Sequence, residues 1–278
     1  MQPPSPPHQR RIWFSLVLFQ HRLPSIQPLL ASIRALAEQT PRWRTALAVY
    51  DGSPPGPALP AAAELEAQLG GVPLHYTRGA NVGYGRAHNS NYAAAALDPG
   101  DLFIVTNPDI RFAPAELTPL LDWVVCSPQV SCAAPLVVGD DGAIQYSAKH
   151  NPTLLALALG RFPLLKAVPG FRRYDRFHRN AFRDYSSECF PSAFLSGCFL
   201  VIPAHSYGAV GGFCERYFLH LEDADLVRRL SSIGLTVHNP KGRVVHSWAR
   251  GSHRSVRQML CLLKSMLIYR SIWGLRFA

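Results

Sequence analysis

Along the first 110 residues the apolar positions switch between two periods. Ile12–Phe19 is a short apolar run rich in β-formers, preceded by Arg10-Arg11 and followed by Gln20-His21-Arg22. From Ser25 to Gln39, Ile26, Leu29, Leu30, Ile33, Leu36 and Ala37 recur at helical spacing on one face. Leu47–Tyr50 predicts a second strand, closed by the turn Asp51-Gly52-Ser53-Pro54-Pro55. A short helix over Ala61–Leu69 and a strand over Val72–Thr77 follow, then a glycine-rich loop at Gly79–Gly85. An alanine-rich helix over Arg86–Ala96 leads to a fourth strand, Leu102–Thr106, which Asn107-Pro108-Asp109 stops. This alternation predicts an α/β fold, a Rossmann-like, mostly parallel sheet flanked by helices. Ligands of such sheets sit beyond the carboxyl ends of the strands. Asp51, Asn81 and Asp109 each follow a predicted strand, so they are expected to converge on one crevice.

The second half is less regular. Val130–Val138 predicts a strand, and Asp140-Asp141-Gly142 turns the chain into another over Ala143–Ser147. Residues 149–191 show no clear period; they hold an apolar stretch at Leu154–Leu159 and a basic-aromatic run from Phe171 to Arg179. Phe199–Ile202 predicts a strand, Leu221–Ser232 a helix closed by Gly234, and Leu235–His238 and Arg243–His246 two short strands. Residues 254–273 predict a final helix. No repeat and no linker divides the chain, so the expected organisation is a disordered Pro-rich leader over 1–9, a single domain over 10–253, and a C-terminal basic amphipathic helix over 254–278.

Composition sharpens this. At 278 residues, 48% hydrophobic and 17% charged, the chain can bury a core and is not a disordered tail protein. Residues 1–225 balance 18 basic against 18 acidic residues, whereas 226–278 hold ten Lys/Arg and no acid, so the whole +10 excess lies there. A block of that sign seeks a polyanion: acidic lipid, diphosphate or nucleic acid. Nucleic acid is disfavoured, because few aromatics interleave with the charges. No apolar run approaches the roughly 20 residues that span a bilayer, and no small-residue cleavage site follows the first apolar run. Six cysteines without a CxxC pair read as reduced thiols, mostly in the core, of a cytosolic protein.

Four segments carry candidate chemistry. In Thr106–Ile110, Asp109 lies just past a buried strand; such an Asp is either a turn residue or a carboxylate turned toward a ligand. In Gly79–Asn91, Gly79, Gly83 and Gly85 permit close backbone approach, Asn81 and Asn89 offer amides, and the next helix offers its N-terminus; a plain loop is the alternative. Neither a Walker lysine nor a GxGxxG spacing is present. Glu222, Asp223 and Asp225 crowd three acids into four residues. Such carboxylates raise one another's pKa, which suits a general base, but acids also simply favour a helix N-terminus. His246 ends an extended run, where it is either a core residue or, with Asp109, half of a Mg2+ or Mn2+ site.

In this order and spacing the segments resemble the family-2 glycosyltransferases of the GT-A fold, and bacterial rhamnosyltransferase-like members in particular. The resemblance runs from Trp13 to Gly274. It is most specific over residues 196–246, with a Gly-led strand, Gly-Gly-Phe, an acidic pair, a helix ending in Arg and Gly, then a strand and His. It implies a donor half to about residue 110 and an acceptor half over about 111–253. It further implies that Asp51 contacts the nucleotide base and that Asn81, Gly83, Asn89 and Asn107 line the donor site. Asp109 and His246 are the implied metal ligands. Asp223 is the implied catalytic base, with Glu222 the first alternative. Two departures stand out. His21 replaces an expected Asn after the first strand, and the Asn107-Pro108-Asp109 segment holds one carboxylate where many relatives have two.

The implied reaction is metal-dependent transfer, with inversion, of a sugar such as rhamnose. The donor is a nucleoside-diphosphate sugar, and the acceptor a glycan or a polyprenyl-diphosphate-linked sugar. The implied place is the cytoplasmic face of the plasma membrane. Along the final helix, Val256, Met259, Leu260, Leu263, Met266, Leu267 and Tyr269 lie beside Arg254, Arg257 and Lys264, which suits an anionic membrane surface. Packing on the body, or a homodimer contact, are the other uses of such a helix. The rival reading from another class is a non-catalytic polyanion- or lipid-binding module on the same fold.

Overall fold

The computed structural model describes residues 9–56, 60–247, 256–274 and 276–278. The eight N-terminal residues of the expected leader, and Arg254 of the expected basic face, lie outside these.

Eleven strands and nine α-helices are found among the described residues. The strands are β1 (Arg11–Leu18), β2 (Arg44–Asp51), β3 (Leu74–Arg78), β4 (Leu102–Thr106), β5 (Ile110–Arg111), β6 (Val130–Val138), β7 (Ala148–Lys149), β8 (Phe190–Pro191), β9 (Phe194–Leu195), β10 (Phe199–Pro203) and β11 (Leu235–His246). The helices are α1 (Leu23–Gln39), α2 (Ala62–Leu69), α3 (Tyr84–Ala95), α4 (Pro114–Val125), α5 (Leu154–Arg161), α6 (Pro169–His178), α7 (Ala204–Ala209), α8 (Glu222–Leu230) and α9 (Val256–Trp273). A 3-10 turn, Pro163–Ala167, joins α5 to α6.

The main sheet runs β3-β2-β1-β4-β10-β6-β11-β5, with β8 added on β11. Its first four strands are parallel, the βα crossover pattern that the alternating periods predict. β10 runs antiparallel between β4 and β6, and β11 returns parallel to β6. One face is closed by α1, α2 and α4 over Phe14, Leu16, Ile33, Leu47 and Leu121; the other packs Phe103, Tyr207, Phe213 and Leu226. The expected GT-A architecture and its C-terminal helix are present.

Several boundaries differ from expectation. Residues 143–147 are not a strand, since only an isolated Val138–Ile144 bridge forms before β7. The two short strands expected after Gly234 are one, β11, with its register shifted between His238 and Arg243. There Asn239 Oδ1 accepts the Lys241 N–H at 3.0 Å, so a side chain completes a bulge that reads as a turn. Helix α4 has no counterpart in the predicted elements. Among the cysteines only Cys132 and Cys198 are buried; Cys126 and Cys189 are exposed, which corrects the mostly-core expectation.

Candidate active site

The site lies beyond the carboxyl ends of β1, β2 and β4, where β5 and β11 close the edge. His246 pairs with Ile110 across these two strands, and Ser247 N–H donates to the Asp109 carbonyl at 2.9 Å. This pairing brings His246 Nε2 to 3.2 Å from Asp109 Oδ1. Gln145 settles the imidazole. Its Nε2 donates to the His246 carbonyl at 2.8 Å, which turns Oε1 toward His246 Nδ1, also at 2.8 Å. Nδ1 therefore carries a proton, and Nε2 faces the Asp109 carboxylate. Two acceptors at that separation repel unless a cation or a second proton lies between them. An oxygen and an imidazole nitrogen suit Mn2+ or Mg2+, and such ions take their remaining ligands from substrate phosphates and water. The pair fits that use, although no cluster of three or more potential ligands occurs among the described residues.

The acidic pair enters the site through a strained turn. His220 and Leu221 both take left-handed backbone angles, with φ of 72° and 65°. Asp223 Oδ2 accepts the Gly197 N–H at 3.0 Å, and Oδ1 accepts the Ala224 N–H at 2.9 Å. A Cβ on Gly197 would stand 3.0 Å from that of Asp223, so a larger residue there would push the Asp223 side chain by a few tenths of an ångström. Burial, with the charge of Asp223 second, pushes the Glu222 carboxyl well up. Burial also raises Asp223, but the two N–H groups and the Lys149 ammonium oppose it. Glu222 is buried, whereas Asp223 is half-buried and held by the two N–H groups. Asp225 has a different place: it pairs with Arg229 at 2.8 Å and accepts the Trp273 indole N–H at 2.8 Å.

Tyr84, which the sequence reading passed over, joins the two halves. Its hydroxyl lies 3.1 Å from Asn107 Oδ1 and 2.9 Å from the Gly197 carbonyl. Asn107 N–H in turn donates to the Cys198 carbonyl at 2.9 Å. The Asp109 turn and the Asp223 loop are thus tied within a few bonds. His21 also lies at this edge: burial lowers its pKa, and Asp109 and Asp51 oppose that shift. It is therefore near both carboxylates and is more than a departure from a pattern.

The donor-loop residues are engaged with protein groups. Asp51 is fully buried, accepting the Ser53 N–H and the Tyr76 hydroxyl at 2.9 Å each. Asn81 is exposed and accepts the Gly83 N–H at 3.2 Å. Asn89 spends its amide on the turn after Gly211-Gly212, accepting from Tyr207 and Phe213 and donating to the Phe213 carbonyl. The glycines make room for protein. Gly83, at φ +92°, lies so close to the Phe218 carbonyl that a Cβ would meet it at 2.5 Å, and Gly85 abuts Phe213. This close backbone approach seats the loop at residues 213–218.

No family model matches the chain. Two curated relatives, named N-acetylglucosaminyl-diphospho-decaprenol L-rhamnosyltransferase, come from Mycobacterium tuberculosis strains CDC 1551 and H37Rv. They are 34% identical over 189 residues, 63% of this chain. The chain spans 59% of their length. Among solved structures, GalNAc-T7 with UDP, GalNAc and Mn2+ superposes at a TM-score of 0.67 and 14% identity, over 96% of this chain and 49% of that one. The mannosyltransferase PcManGT of Pyrobaculum calidifontis, with GDP-Man and Mn2+, superposes at 0.60 and 13% identity, over 90% and 61%. The fold is the GT-A glycosyltransferase fold, and the sequence resembles bacterial rhamnosyltransferase-like proteins.

Proposed function

We propose that this chain is an inverting, metal-dependent glycosyltransferase. It moves a sugar, rhamnose first among those to test, from a nucleoside-diphosphate donor to a hydroxyl of a glycan or polyprenyl-diphosphate-linked acceptor in bacterial surface polysaccharide assembly. One observation carries the reading. The loop that holds Asp223 and the turn that holds Asp109 beside His246 are tied through Tyr84, whose hydroxyl meets both Asn107 Oδ1 and the Gly197 carbonyl. Asp109 and His246 would hold Mn2+ or Mg2+, which would supply Lewis-acid stabilisation of the departing diphosphate. Asp223 takes the proton of the acceptor hydroxyl, and Glu222, already protonated, does not compete for it. One base and no adjacent nucleophile make a single displacement, which inverts the anomeric centre.

Two surfaces support membrane association. Along α9, Ser265, Ile268 and Tyr269 are buried against the body, whereas Leu260, Leu263, Lys264 and Leu267 face outward. The 3-10 turn before α6 presents Phe162, Leu164 (91% exposed) and Leu165 around Lys166. The Leu154 and Leu155 N–H groups donate to the carbonyls of Arg276 and Phe277, so α5 and the end of the chain adjoin. Apolar side chains interspersed with Lys and Arg suit a peripheral position on an anionic, cytoplasmic leaflet. No helix of the described residues is long and apolar enough to cross a membrane.

The test is transfer from dTDP-rhamnose and other nucleotide sugars, with and without a chelator, with the product's anomeric configuration read by NMR. Metal-dependent transfer with inversion is expected. Chelator-resistant transfer, or retention, would overturn the corresponding part.

A further inference from the structure

The least readable segment of the sequence folds into a cluster of cations beside Asp223. Strand β7 is laced to the end of α6: the His150 N–H donates to the His178 carbonyl at 2.8 Å, and Asn180 Nδ2 donates to the Ala148 carbonyl at 3.4 Å. These bonds flank Lys149 and Arg179. On its other side β7 pairs with β9, Lys149 opposite Phe194, with the Lys149 ammonium 5.4 Å from that ring. β9 leads straight to Gly197, whose N–H holds Asp223. Asp175 is the acid of the cluster, and it is already engaged, 2.9 Å from Lys166 and 3.8 Å from Arg179. Among the described residues no carboxylate lies within salt-bridge distance of Lys149.

Three cations thus face two carboxylates, Asp175 and Asp223, in a partly desolvated place. Burial and the Lys149 charge lower His178 to about 4, so its imidazole adds no charge. Burial also lowers Lys149, as expected of an ammonium without a close counter-ion. Unpaired buried charge is costly and persists where a ligand completes it. The positive charge that remains calls for an anionic ligand. Arg179 also lines a cavity of about 380 Å³ whose other walls include Asp140, Asp141, Gln145 and His246, so Arg179 faces the side on which His246 lies. The opposite end of α6 adjoins the exposed apolar turn at Phe162–Leu165.

We propose that Lys149 and Arg179, backed by Lys166, form the subsite for the diphosphate of a lipid-linked acceptor; this rests on the glycosyltransferase reading above. The donor's diphosphate belongs to the Asp109–His246 side. The acceptor's is held on the Lys149–Arg179 side, which sets the acceptor hydroxyl at Asp223, while the prenyl chain leaves along the apolar turn.

The test needs no turnover. Farnesyl diphosphate, with farnesol as the uncharged control, is titrated into the full chain in EDTA; a nucleoside diphosphate is titrated separately with Mn2+. Wild type is expected to prefer farnesyl diphosphate over farnesol. Lys149→Met and Arg179→Gln should each weaken that binding roughly tenfold or more, since each removes a charged hydrogen-bond donor. Nucleotide binding should stay within about twofold. Lys149→Met should melt no lower than wild type, because it removes a buried charge that has no close partner. Equal binding of farnesol and farnesyl diphosphate by wild type would overturn the subsite, as would loss of nucleotide binding instead of farnesyl diphosphate binding. A wild type that binds farnesyl diphosphate as described but transfers no sugar would sink the enzyme reading and leave the subsite standing.

Discussion

At the scale of the residue, the central interaction is the 3.2 Å approach of Asp109 to His246, oriented by Gln145. Asp109→Ala and His246→Ala should each abolish Mn2+-dependent binding of a nucleoside diphosphate, read by calorimetry. Gln145→Leu frees the imidazole to change tautomer and should weaken that binding roughly tenfold or more; unchanged affinity in all three would remove the metal assignment. Glu222 gives a pH signature. Its pKa is raised in the fold, so its stabilising contribution is full below the ordinary glutamate range and is lost as pH rises through the folded value. Glu222→Gln should therefore raise the melting temperature at about pH 8 by several degrees and change it little at about pH 5. An equal shift at both values would mean that the carboxyl is not buried as a proton-bearing acid.

At the scale of the element, Asp225 turns from a candidate catalytic acid into the anchor of the C-terminal helix. It holds Trp273, and Arg228 stacks on that indole at 4.4 Å while reaching the Tyr269 hydroxyl. Asp225→Ala strands Arg229 and releases α9, and should cost about 3 kcal/mol in urea unfolding. A loss under about 1 kcal/mol would show α9 to be held elsewhere. The elements that sequence periodicity exposed are those with local signals: β1 to β4, α1, α3 and the apolar run of β6. Helix α4 carries Pro114 and Pro119, yet Leu117, Leu120, Leu121 and Val124 keep helical spacing and Pro114 occupies the first turn, where proline is tolerated. Asp109, His246 and Asp223 stand out as candidates because each lies at the end of a strand or the start of a helix. Tyr84, Gln145, Lys149 and Arg179 do not, since their partners lie tens of residues away and only the folded sheet edge brings them together. Asn89 shows the reverse: its place in a ligand-like loop suggested donor contact, and tertiary packing gave its amide to residues 207–215.

For the whole molecule, charge and shape point the same way. The basic excess lies in the last 53 residues, and the outward faces of α9 and the turn before α6 are apolar. Leu260, Leu263 and Leu267 replaced together by Ser should abolish co-sedimentation with anionic vesicles, while Lys264→Gln should weaken it about fivefold, near 1 kcal/mol, and less at high salt. Equal pelleting of wild type and the triple variant would place the α9 face against another copy of the chain or leave it bare. The central claim is that Asp223 is the base of a sugar transfer whose donor is held elsewhere in the same cleft. Single-turnover transfer by Asp223→Asn, at saturating nucleotide sugar and Mn2+, tests it most directly. The account predicts transfer reduced by roughly 10²-fold or more, with nucleotide affinity unchanged. Transfer near the wild-type rate would contradict it and move the base to another residue.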